Sequence, residues 1–142
     1  MKRVYRGRKY YKNQIDKLVD YCFEQGYSVD FTDKEDEAFP DENFINIYKN
    51  QSAENRFFSL LHEISHLEIH RNLEEWERDF AGQKYPKYTQ IYKISALEEE
   101  FVAWRRGLIL SEKLNLYVNK KKYMKLKAKC LCSHIKNLFG EK

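Results

Sequence analysis

The stretch Leu60-Leu61-His62-Glu63-Ile64-Ser65-His66 places two histidines four apart inside an apolar run. At 3.6 residues per turn, His62 and His66 stand one above the other on a single helix face. Phe57, Phe58, Leu60, Leu61, Ile64 and Leu67 surround them with apolar side chains, so this helix must be buried. Ser52, followed by Glu54 and Asn55, supplies a helix start. Two imidazoles one turn apart can share a metal ion, and Zn²⁺ is the ion that suits this H-E-x-x-H spacing. Glu63 then lies beside a metal-bound water, placed to act as a general base and not as a ligand.

The rest of the chain reads as a frame around that helix. Tyr11, Ile15, Leu18, Val19, Cys22 and Phe23 recur at helical spacing between Tyr10 and Gln25, and Gly26 stops the run. Tyr27 to Phe31 alternates as a strand, and Asn43 to Tyr48 alternates again and should pair with it. The acidic segment from Thr32 to Asp41, with Pro40, reads as a loop. The site helix should run to about His70, followed by a short helix from Leu73 to Ala81 and a loop from Gly82 to Thr89. A long helix is expected from about Ser95 to Leu114, and a last, basic helix over about 120–139. The fold class is therefore α+β: a mostly helical single domain over residues 1–142, with a two- or three-stranded sheet packed beside the site helix.

A catalytic zinc takes three protein ligands and keeps one position open. His70 lies on the same helix, but it is about 12 Å along the axis from His62 at 1.5 Å per residue, too far to share one ion. It reads as a helix-end residue or a substrate contact. A glutamate of Glu98-Glu99-Glu100 on the next long helix is the better third ligand. On a helical wheel Leu97, Phe101, Trp104 and Leu108 form the core stripe. Glu100 borders that stripe beside Ala103 and Gly107, whose small side chains allow close helix approach. Glu100 is the first choice and Glu99 the alternative. Glu98 points to the opposite flank. The oxyanion of a hydrolytic reaction needs a donor, and His70, Tyr85, Tyr88 and Tyr92 are all open choices.

This order of a helix, two strands, a helix reading Leu61-His62-Glu63-Ile64-Ser65-His66-Leu67-Glu68-Ile69-His70 and a later Glu-rich helix resembles the ImmA/IrrE-like metallopeptidases of bacteria and their mobile elements. The resemblance implies a minimal zincin-like fold and a zinc held by the two histidines and a downstream glutamate. It also implies a general base at Glu63, and a histidine closing the site helix, as His70 does. Ser65 stands where glycine is usual, and Phe101 and Trp104 follow the glutamates where alanine and asparagine are common. The implied activity is cleavage of a regulatory protein, such as a repressor, at few sites. A phage or other mobile-element setting fits the Lys- and Tyr-rich composition.

Composition limits the alternatives. With 42% hydrophobic and 15% aromatic residues the chain can build a core despite 34% charge. No apolar run approaches the roughly 20 residues that span a bilayer, so no membrane role is expected. The basic N-terminus leads into no apolar signal segment. Three unevenly spaced cysteines are no disulfide framework, and a reducing cytoplasmic setting is expected. Cys130 and His134 share a helical face, a pattern read as ordinary half-buried residues before a metal site. From Arg105 onward 11 Lys/Arg face two acids, a balance of +9 within a chain of net charge +4. Lys120, Lys121, Lys122 and Lys125 are the expected contacts for a macromolecular partner. That charge sustains an alternative reading, a catalytically silent zincin-like module binding a protein or nucleic acid through its basic end. No nucleic-acid-binding motif accompanies the charge. The oligomeric state stays open.

Overall fold

In the computed structural model, which describes residues 6–140, five α-helices accompany a three-stranded sheet that packs on α1 and α2. Helix α1 (Arg8–Gln25) ends at Gly26, whose φ of 84° is the left-handed conformation that glycine adopts without steric cost. Strand β1 (Ser28–Thr32) follows and pairs in parallel with β3 (Phe44–Tyr48), with Val29 opposite Ile45 and Phe31 opposite Ile47. Between them the acidic segment, expected to be all loop, contains a third strand, β2 (Glu37–Phe39), antiparallel to β3 on its far edge. Polar anchors hold it there. The Asn46 amide donates to the Lys34 and Glu35 carbonyls at 3.0 Å, and Asp36 accepts the Tyr48 N–H at 2.7 Å. Three residues are too few to show an alternating pattern, so nothing in the sequence marked this strand.

Helix α2 (Ala53–Arg71) is the central element, capped by the Ser52 hydroxyl accepting from the Asn55 N–H at 3.1 Å. It is buried nearly all round, which is why apolar residues occur on every side of the H-E-x-x-H. Helix α3 (Leu73–Asp79) and a 3-10 turn (Ala81–Lys84) lead to α4 (Gln90–Lys113). The latter starts five residues earlier than the periodicity predicts, because Thr89 caps it by accepting the Tyr92 N–H at 3.2 Å. Helix α5 (Lys120–Phe139) returns across the molecule.

The packing of α4 corrects the helical wheel. Its buried positions are Ser95, Glu99, Ala103, Trp104, Gly107, Leu110 and Ser111, while Phe101 is 41% exposed. Small and polar residues face inward because α4 lies close against α2. A Cβ at Gly107 would sit 3.4 Å from Leu61 Cβ and collide with the Tyr123 hydroxyl. That hydroxyl donates to the Trp104 carbonyl and ties α5 to α4. Phe57, Phe58, Leu60, Leu61, Ile64, Trp104 and Tyr123 form the centre of the main core.

Candidate metal centre

His62 and His66 project from one face of α2 with their Nε2 atoms 3.2 Å apart. Glu100 reaches them from α4: its Oε1 is 3.1 Å from His62 Nε2, and its Oε2 is 2.9 Å from His66 Nε2. One atom from each of the three residues lies within 4.8 Å of the others, the spread that a single ion spans. Glu98 is exposed. Glu99 is more deeply buried than the wheel implied, yet it contacts His66 through the other ring nitrogen, with Nδ1 to Oε2 at 2.6 Å.

Burial pushes His62 down to about 4, which keeps its imidazole neutral and its lone pair free near neutral pH. His66 Nδ1 donates to Glu99, which leaves Nε2 as the atom facing the ligand group. Burial opposes charge on Glu100, but its contacts with His134, His62 and His66 outweigh this and hold it far below the usual carboxylate range. Glu100 Oε1 is buried and accepts no hydrogen bond, despite two imidazole nitrogens at 3.1 Å. A buried carboxylate oxygen without a donor is costly unless something positive completes it. The donor set of two nitrogens and a carboxylate fits a divalent metal.

Glu99 ties this group to the surrounding elements. His70 Nε2, Trp76 Nε1 and Gln83 Nε2 all donate to its carboxylate at 3.0 Å, from α2, α3 and the 3-10 turn. Burial raises its pKa, but the His66 and His70 contacts prevail and keep it ionised. His66, despite burial, is held well above its ordinary value by Glu100 and Glu99. Trp104 stacks on His62 with ring centroids 4.2 Å apart at 13° and fixes the first imidazole.

A cleft of about 850 Å³ opens over these residues and is also lined by Glu63. Burial drives the Glu63 carboxyl up to about 8. One wall carries Glu35, Asp36 and Glu37 from the segment around β2, and the other carries Lys129, Ser133 and His134 from α5. His70 lines the cleft as well as binding Glu99. Tyr85, Tyr88 and Tyr92 are not among the lining residues, and Tyr85 and Tyr88 point into solvent. Lys120, Lys121, Lys122 and Lys125 are exposed on the first two turns of α5, before the part that lines the cleft. Lys122 pairs with Glu54 at 3.3 Å.

Sequence reasoning missed His134 as a site residue. Its Nε2 is 3.1 Å from Glu100 Oε1, and the only signal was the face it shares with Cys130. The acidic wall was equally hidden, because the segment around β2 carried no motif.

Residues 23–96 match the family model of the IrrE N-terminal-like domain (Peptidase_M78), just over half of the chain. The match includes His62, Glu63, His66 and His70 and ends before Glu99, Glu100 and α5. No curated protein and no solved structure matches the chain. No helix among the described residues is long and apolar enough to cross a membrane.

Proposed function

Since the chain belongs to the IrrE N-terminal-like peptidase family, we propose that it is a zinc-dependent endopeptidase that cleaves a regulatory protein. The observation that carries this reading is the convergence of His62, His66 and Glu100 within 4.8 Å, beside the buried Glu63 in an open cleft. In this reading His62, His66 and Glu100 hold the metal. When bound there, zinc supplies Lewis acidity and a water of lowered pKa.

The protein's own groups do the remaining work. Glu63 accepts the proton of the attacking water and passes it to the leaving amine. Glu99 fixes the orientation and tautomer of His66, and is itself fixed by His70, Trp76 and Gln83. Trp104 covers His62 and excludes water from that side. The 850 Å³ cleft, with unlike charges on its two walls, suits an extended peptide segment better than a small molecule.

Incubation of the zinc-loaded protein with regulatory proteins from the same genome, followed by mass spectrometry of the fragments, tests this reading. Glu63→Gln should keep one zinc per chain and lose cleavage, because an amide accepts no proton. Cleavage retained in that variant refutes it.

A further inference from the structure

Helix α5 lies beyond the residues that match the family, yet it forms a wall of the cleft. Its fourth turn brings His134 to the ligand group, with Nε2 3.1 Å from Glu100 Oε1. The other nitrogen groups in contact with the two carboxylates are already engaged. His66 Nδ1, His70, Trp76 and Gln83 bind Glu99, and the Nε2 atoms of His62 and His66 face Glu100 and each other. His134 meets Glu100 through Nε2 alone, no described residue pairs with its other ring nitrogen, and its side chain, which lines the cleft, is 42% exposed. It is not in the set of atoms that converge within 4.8 Å.

We propose that His134 is a catalytic residue that donates a hydrogen bond from a ring N–H to the substrate carbonyl oxygen as that oxygen gains negative charge. This rests on the peptidase reading above. The geometry suits the task. A donor beside the ligands but outside them can reach a group bound in the cleft, and Glu63 and His134 stand on separate elements that flank it. A donor fixed before the reaction needs no reorganisation when charge develops, which is why such groups carry a large share of a barrier reduction. The tyrosines after the 3-10 turn cannot share this task from outside the cleft. The length of α5 also gains a reason: its capped, basic start anchors the helix, and its later turns deliver the donor.

Cobalt(II)-loaded wild type, His134→Ala and His134→Gln provide the test, with inorganic phosphate as a tetrahedral oxyanion probe. The visible cobalt spectrum and the metal content should be unchanged in both variants. Phosphate affinity should fall about tenfold or more in His134→Ala and recover partly in His134→Gln, whose amide retains a donor. With zinc and a cleavable protein, His134→Ala should lose on the order of 100- to 1,000-fold in kcat. A changed cobalt spectrum or lost metal makes His134 a fourth ligand and overturns the proposal. Unchanged phosphate affinity overturns it as well. The peptidase reading fails separately, if Glu63→Gln cleaves as wild type or if the wild type cleaves nothing. The cobalt and phosphate measurements then still decide whether His134 is a donor at this site.

Discussion

Replacing Glu99 by alanine should weaken zinc binding although Glu99 is not placed as a ligand. Its carboxylate accepts from His66 at 2.6 Å and from His70, Trp76 and Gln83 at 3.0 Å. Without it, the His66 ring loses the acceptor that sets its tautomer and orientation, and three further donors lose their partner. Loss of such an outer carboxylate costs about 10- to 100-fold in metal affinity, or about 1.4 to 2.8 kcal/mol at 1.4 kcal/mol per decade. Glu100→Ala removes both carboxylate oxygens, one in contact with each imidazole, and should cost more. Glu99→Gln keeps one carbonyl oxygen and should fall between wild type and Glu99→Ala. Competition for zinc against a chromophoric chelator measures all three. The reasoning fails if Glu99→Ala binds zinc within twofold of wild type. It also fails if that variant loses more affinity than Glu100→Ala, since Glu99 would then be the ligand.

Three further outcomes are expected. In the chelated protein, the folded-state pKa of Glu63 is raised to about 8, so its stability is full below about 4.5 and falls as pH rises through 8. Metal-free Glu63→Gln should therefore gain stability over wild type in denaturant unfolding as pH rises from 5 to 8, by about 3 kcal/mol at pH 7, and a pH-independent difference would refute the assignment. Gly107→Leu should destabilise by about 1–3 kcal/mol in denaturant unfolding, since its first carbon already meets Tyr123 and Leu61; wild-type stability would show that α2 and α4 separate easily. Charge reversal at Lys120, Lys121, Lys122 and Lys125 should leave zinc content unchanged, weaken partner binding and flatten its salt dependence, whereas identical salt titrations would leave these lysines as a solvated face.

What the sequence revealed of this site depended on how local each signal was. Helix α2 was legible because His62, Glu63, His66 and their apolar surroundings all lie within one periodic run. The phase of α4 was not, and the reason is chemical. Where a helix delivers carboxylates to a buried site, its inward positions hold Ser95, Glu99, Ala103 and Gly107, and an aromatic such as Phe101 is left half in solvent with Lys127 over its ring. A rule that puts the largest apolar residues inside places Trp104 correctly but draws Phe101 inward with it. Glu100 was still selected, since it borders Ala103 and Gly107 on either reading, but Glu99 was turned too far outward. His134 lies 34 positions beyond Glu100 and meets it only through the packing of α5 on α4, held by Tyr123, which no local pattern encodes. The misread phase is itself informative. A long helix that buries serine, glutamate and glycine while exposing phenylalanine has been shaped by what it must present to its neighbour. Here that neighbour is the H-E-x-x-H helix, and two adjacent glutamates of α4 are buried against it, Glu100 on the Nε2 atoms of both histidines and Glu99 on the Nδ1 atom of His66.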